Sequence, residues 1–588
     1  MNLTSFLKQI NKISSEYTKE QLIDFIREIA RIIPEYRRDE FLYKLQSLSE
    51  GTKKKTADVQ RAADDKKECE TILKDLEKID SEEICLEEIL NEEYDDWYND
   101  EEDEFFYKDD EDIVGKLEKA CDYVHKCVDE ESYTNGFDIG SRLFEITVGT
   151  TGEYGYNESL NIKDMVYHEL LNRDVKKIVY DTLFCGYMSM GEDDDHIEDM
   201  YKVIHNSQIQ DITVEGLMQH GDTELPDFDG FLNKWIEYLG KQKGRLAEDL
   251  FNESVRLMND PHKACVLADR FMEEHPGVYF QIMNNPDGLA TKEIFQIGYA
   301  AIRKIPTKYV VRSKTALKTA EYILKGKSRD LRMLEDCYFA AYESDTTPVN
   351  YLRALLNGFD SPEKRDRLNM ITAKMGKGTD KSLLYDDYYR SDVYGEQSEN
   401  KPGKYTLVML NFLEGRFKYV MQYHMNAKES LGWSGTFMKQ GIAVFLLYLY
   451  EGEWDKIGIK AMTRKTSEAM HFSDDSYKAG LESDNSENGT LFLSVFRRWR
   501  SLTPMEDDYK QIVLGKIEGL IEKRTEGIMN ANRRNYYGEC ASYIAALGEV
   551  RESLGEKGAK QRIMTEYKDT YTRRTAFRAE LKTYGWRG

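Results

Sequence analysis

Proline is scarce in this sequence, with ten in 588 residues. That is about a third of ordinary usage, taken as roughly 5 %. Few chain breakers together with abundant Leu, Lys, Glu and Ala favour helices. Cysteine is no richer: the eight residues fall at 69, 85, 121, 127, 185, 265, 337 and 540, with no CxxC or CxC pair. Neither a zinc framework nor a disulfide scaffold is indicated, and thiols buried in a reducing compartment are expected. Long apolar runs are missing too. The longest, Ile442 to Tyr450, has nine residues, whereas a bilayer span needs about twenty. The opening MNLTSFLKQINKISSEY has no apolar signal-peptide core. The expectation is a cytoplasmic chain with no membrane partner.

Excess positive charge is also lacking. Lys and Arg number 82 against 107 Asp and Glu, a net charge of −25. Binding the phosphate backbone needs clustered positive charge, so a global DNA-binder is disfavoured. One strip, EEYDDWYNDEEDEFFYKDDED (92–112), holds thirteen carboxylates, one lysine and six aromatics, and alone supplies −12. From Arg497 to the last residue the balance reverses, with nineteen Lys/Arg against thirteen Asp/Glu.

Catalytic and metal signatures fail on their chemistry. MGKGTDKS (375–382) has Asp380 where a phosphate loop needs glycine, and an acid beside a phosphate has the wrong charge. GEDDDHIED (191–199) lacks calcium-loop spacing and reads as a solvated helix start. Cys121 and His125 share a helical face, but no second pair completes a metal site. They are expected to be a core cysteine and a partly buried histidine. GWSGT (432–436) is not a GxSxG elbow, and Trp433 reads as a packing anchor. No HExxH, kinase set or dinucleotide fingerprint is present. No catalytic residue, metal or cofactor is expected, and the chain is not expected to be an enzyme.

What is present is helical periodicity. Leu22, Ile23, Ile26, Ile29 and Ile32/Ile33 line one face before Pro34. Ile113, Leu117, Cys121, Val124 and Val128 line another. Further helices are predicted around 160–171, 174–188, 228–241, 244–258 and 263–274. No sustained period-two alternation stands out, so the chain reads as all-α. The predicted organisation is a helical hairpin over 1–50 and a polar, acidic, partly helical segment over 51–112. A helical repeat array over 113–373, a loop or linker over 374–404 and a C-terminal helical module over 405–588 follow.

The array carries helix-turn-helix punctuation. ACVLADRFMEEHP places Ala264, Ala268 and Phe271 before Pro276. Ala316, Ala320 and Leu324 precede Gly326, and Leu334, Tyr338 and Ala341 precede Pro348. Leu413, Gly415 and Phe417 repeat the turn. These segments resemble tetratricopeptide repeats, and that resemblance implies an irregular helix-pair superhelix with a long binding surface. The order of segments, with SDTTPVNYLRALL at 344–356 and a basic end, also resembles the helical region of bacterial SWIM-type zinc-finger proteins. The CxC…CxH zinc motif of that family is absent, so its nucleic-acid role is not carried over.

Candidate partner-binding residues fall in two places. In the C-terminal module they are Arg497, Arg498, Trp499, Arg500, Arg533, Arg534, Tyr536, Tyr537, Arg573, Arg574 and Arg578. Arginines beside aromatics stack on bases, clamp phosphates or grip carboxylates bidentately. The structural alternative pairs these arginines with Glu539, Glu566 or Glu580. In the acidic strip the candidates are Trp97, Phe105 and Phe106. There the expectation is two helix ends meeting at an acidic turn, with Tyr94 and Trp97/Tyr98 continuing a face begun at Leu86 and Ile89/Leu90. The expected function is a non-catalytic scaffold binding a protein partner. Nucleic-acid association through the basic aromatic module is the alternative.

Overall fold

The computed structural model describes residues 17–33, 38, 41, 58–90, 105–152, 159–191, 196–221, 225–286, 288–326, 330–358, 363–376, 398–426, 429–482 and 491–588. Among these residues the fold is predominantly helical with one small sheet, and the chain divides into two compact units, Met1–Met258 and Asn259–Gly588.

The first unit begins with α1 (Lys19–Ile32), α2 (Asp58–Asp80), β1 (Leu86–Leu90) and β2 (Phe105–Lys108). Next come α3 (Ile113–Asp129), α4 (Tyr133–Glu145), β3 (Val148–Gly152) and β4 (Ser159–Leu160). It ends with α5 (Ile162–Tyr167), α6 (Val175–Met188), α7 (Ile197–Ser207), α8 (Val214–Gln219), α9 (Phe228–Leu239) and α10 (Arg245–Leu257). The α3 face predicted from periodicity is the buried one, with Ile113, Leu117, Cys121 and Val124 in the core. Its free N–H groups at Ile113 and Val114 donate to the Asp109 carboxylate at 2.7 and 2.8 Å. One acid of the strip thus satisfies two donors that a helix start leaves open. Helices α3, α4 and α6 pack on one another, and α2 lies against α3 and α4.

The flanks of the acidic strip are strands, not helix ends. β1 pairs antiparallel with β2, with Ile89 opposite Phe106 and Glu87 opposite Lys108. β3 adds to β1 in parallel, giving the order β2-β1-β3-β4. LEEIL and FFYK carry Ile, Phe and Tyr, side chains that suit a pleated surface. Cross-strand contact of an aliphatic and an aromatic side chain stabilises them as a ladder. The alternation is hidden because Glu87 and Glu88 sit together, and because the third strand lies about sixty residues further on.

The second unit opens with α11 (Pro261–Arg270), α12 (Val278–Asn284), α13 (Thr291–Lys304), α14 (Val311–Lys325) and α15 (Leu331–Ser344). These are followed by α16 (Pro348–Leu356), α17 (Glu363–Gly376), α18 (Lys404–Leu413), α19 (Phe417–Tyr423) and α20 (Met438–Leu449). It closes with α21 (Ile457–Ala469), α22 (Asp474–Lys478), α23 (Leu491–Leu502), α24 (Asp507–Asn530), α25 (Tyr537–Ser553), α26 (Ala559–Thr570) and α27 (Thr575–Thr583). Prolines serve as helix starts: Asp260 caps α11 before Pro261, and Thr347 caps α16 before Pro348. Gly415 makes the α18–α19 turn at φ +82°, where a side chain is strained. The apolar run 442–450 is the buried axis of the unit. Every residue from Ile442 to Tyr450 is at most 2 % exposed, as befits a helix that is apolar all round. Around it pack α21, α24 and α25. Among the described residues, no helix is long and apolar enough to cross a membrane.

Glu414 is one of several charged residues buried in this unit. The Glu414 side chain, just after α18, is fully buried, with the Arg416 Nε 2.9 Å away. Burial raises its carboxyl, while the Thr372 hydroxyl and Arg416 oppose that shift. A carboxyl raised in the fold contributes stability below the ordinary glutamate value of 4.5 and loses it as pH rises through the higher folded value. Glu414→Gln should therefore melt a few degrees above the parent at pH 8 and lose that advantage near pH 4.5. Thermal scans at the two pH values decide it; an equal offset at both would show that burial of the charge costs nothing.

Candidate interaction surface

On α23 the FRRWR pattern splits by helical spacing. Phe496 and Trp499 turn inward and are fully buried, and the Trp499 Nε1–H donates to the Leu413 carbonyl at 2.8 Å. Its ring meets Phe412, Tyr448 and Phe496. Arg500 donates to the Tyr450 carbonyl and pairs with Glu451, each at 2.5 Å. Arg497 is exposed and lies over the Trp454 ring, and Arg498 is exposed.

The second cluster forms where α24 turns into α25. Asn532 takes φ +53°, a 3₁₀ turn covers Arg534–Tyr536, and α25 follows. Tyr537 is buried against the Phe577 ring of α27. Tyr536 is half-buried, with Arg524 and Lys439 over its ring. Arg574 donates to the Asn532 side-chain oxygen at 2.6 Å and to the Met529 carbonyl at 2.7 Å. Arg578 donates to the Thr572 carbonyl at 2.6 Å. The Arg574 bonds staple the 571–574 corner to the 529–532 corner, so Arg573 and the Arg533–Arg534 pair flank one link. Arg533, Arg534 and Arg573 are exposed, and no carboxylate among the described residues is in ion-pair range of them. Of the acids expected to pair with them, Glu539 is engaged by Arg524 and Lys439 and Glu566 by Arg562, while Glu580 forms no ion pair with any described residue.

In the acidic strip Phe106 is 59 % exposed on β2, and Phe105 is the first residue of that strand. Trp97 lies outside the described residues. So do Lys377 to Ser382 of the glycine-rich stretch and Glu192 to Asp195 of GEDDDHIED. The remaining acids of that segment, Glu198 and Asp199, sit in the first turn of α7 and pair with Lys202.

Cys121 and His125 are not brought together as ligands. Cys121 is core, while His125 Nδ1 lies 3.0 Å from Asp181 of α6. Asp181, 3 % exposed, also holds His220 Nε2 at 2.6 Å, and Lys177 Nζ lies 3.3 Å from the outer nitrogen of His125. The signal for this His–Asp–His cluster was a single acid inside the apolar run IVYDTLF, which marks a buried polar partner. Among the described residues, no group of three His, Cys, Asp or Glu is placed to hold a metal. Burial pushes the Cys121, Cys127 and Cys540 thiols up to about 12, which keeps them protonated and poor nucleophiles. Trp433 is the packing anchor expected of it, 2 % exposed.

No protein-family model matches the chain, and neither a curated protein nor a solved structure does.

Proposed function

We propose that this chain is a non-catalytic interaction protein that binds an acidic segment of a partner protein at the Arg533–Arg534–Arg573 corner. The observation that carries the proposal is an unpaired cationic corner on a fixed frame, in a chain whose net charge is −25. Arg574 and Arg578 are spent on backbone and side-chain acceptors that hold the corner. Three guanidinium forks on a pre-organised turn suit carboxylates, since little side-chain freedom beyond their own is lost on binding. Nucleic acid keeps less support, because Trp499 and Tyr537 are core and Tyr536 is covered by two cations. A base would find charge at this corner without an open aromatic platform. Packing of α13 on α14 and of α14 on α15 supports reading 291–344 as repeat-like helix hairpins.

The test is titration of a glutamate-rich peptide and of single-stranded RNA against the parent and the triple variant Arg533→Glu, Arg534→Glu, Arg573→Glu. The peptide should bind the parent, and the variant should lose about tenfold or more in affinity with its melting temperature unchanged. RNA binding stronger than peptide binding, lost in the same variant and falling steeply with salt, would transfer the site to nucleic acid. Equal peptide binding by parent and variant would remove the corner from any role.

A further inference from the structure

A recess of about 150 Å³ opens between the start of α18, the end of α19 and the start of α20. None of its lining residues is Asp or Glu, in a chain where acids outnumber bases by 25. The polar residues that line it include Lys404, Tyr405, His424, Asn426 and Thr436. Its floor is apolar: Val408 and Phe437 are 3 % exposed and Met438 is fully buried. At its edge Tyr423 stands 63 % exposed, with the Tyr419 ring tilted against it, ring centroids 5.1 Å apart. An open aromatic face next to an acid-free polar recess is not explained by packing of the fold.

Volume, charge and shape narrow the occupant. Drug-sized pockets run to roughly 300–1,000 Å³, so this one takes a smaller molecule. One ammonium balances one negative charge, which suits a monoanion better than a phosphate dianion. Burial and the neighbouring Lys404 hold the His424 imidazole below its ordinary range, so near neutral pH it offers one N–H and no charge. The apolar floor asks for a hydrocarbon body, and the Tyr423 ring offers a face to cover it.

We propose that this recess binds a small organic acid. Its carboxylate meets the Lys404 ammonium and the His424 imidazole, and its apolar body lies between the Tyr423 ring and the floor of Val408, Phe437 and Met438.

Phenylacetate is the probe, with inorganic phosphate as the comparison, and the full chain is labelled at histidine for NMR. Phenylacetate should move the His424 resonance saturably below about 10 mM and raise the pH at which it titrates, because a bound carboxylate favours the protonated ring. Lys404→Ala should weaken binding about tenfold and Tyr423→Ala about fivefold. Lys418→Ala, an exposed lysine outside the recess, should bind like the parent. All three positions are on the surface, so folding is retained and is checked by the melting temperature. The proposal falls if phenylacetate leaves His424 unmoved or if Lys404→Ala binds like the parent. Phosphate binding as tightly as phenylacetate overturns it as well, since the recess would then hold an anion without regard to its body.

Discussion

Glu549→Ala is expected to cost about 3–5 kcal/mol, the range for breaking a buried ion pair, and to lower the melting midpoint by roughly 10 °C. The Glu549 carboxylate is 1 % exposed and 2.6 Å from the Lys560 ammonium. It also accepts from the Gly458 and Ile459 N–H groups at 3.2 and 2.9 Å, so it closes the start of α21 from a position on α25. Alanine would strand a half-buried ammonium and two donors at once. The site cannot relax, because the helices touch there: a Cβ at Gly458 would lie 2.5 Å from the Ala546 nitrogen. Across the next crossing, a Cβ at Gly548 would lie 2.5 Å from the Lys560 Cα. Glu549→Gln keeps an acceptor for the donors and loses the charge facing Lys560, so it should fall between parent and alanine. Chemical denaturation of the three proteins checks the order. A Glu549→Ala melting midpoint within one degree of the parent would mean that the carboxylate is not the partner on which Lys560 depends.

Arg524→Met is expected to cost a similar amount, about 3–5 kcal/mol, and Arg524→Lys should not rescue it. Arg524 is 2 % exposed and pairs with Glu539 at 3.0 Å. It donates as well to the Ser430 and Leu431 carbonyls, each at 3.0 Å, and lies over the Trp433 and Tyr536 rings. That combination needs a planar fork with several donors, which an ammonium on a flexible stem does not supply. Methionine fills the volume but leaves two carbonyls unmatched and Glu539 with Lys439 as its remaining ion-pair partner. The loop carrying Trp433 should loosen, so tryptophan emission should shift red in Arg524→Met below its unfolding transition. Because Tyr536 belongs to the same turn as Arg534, binding of the acidic peptide should weaken in this variant too. Full stability in Arg524→Lys would show that charge alone, not the fork, holds the loop.

Glu549 and Arg524 are unequally marked in the sequence. The small-residue helix ECASYIAALGEV is visible by eye, and its Ala and Gly positions announce a close helix crossing. Nothing local announces that Glu549 faces inward at that crossing, since acids usually mark solvent. FRRWR, NRRNYY and YTRRTAFRAE were legible as arginine-aromatic clusters but not as to which members were available. Trp499 and Tyr537 are core, Arg500 and Arg574 hold the frame, and Arg533, Arg534 and Arg573 remain open. The sorting follows from which side of a helix or turn meets the rest of the unit. The recess at Lys404, Tyr423 and His424 had no linear signature, because its residues come from three elements that meet in the fold.

By itself the sequence determined that this chain is predominantly helical, where many of its helices run, and that its central apolar run is too short for a bilayer. Those properties depend on composition and on spacing within one turn, both local. The tertiary structure decided that β1, β2 and β3 exist, because each strand needs a partner distant in the chain to complete its hydrogen bonds. It decided, too, which arginines face outward and which acids are buried, because burial is settled by what packs against a residue. A charge is cheap or costly according to its neighbours, and the neighbours of Asp181, Glu414 and Glu549 are set by folding.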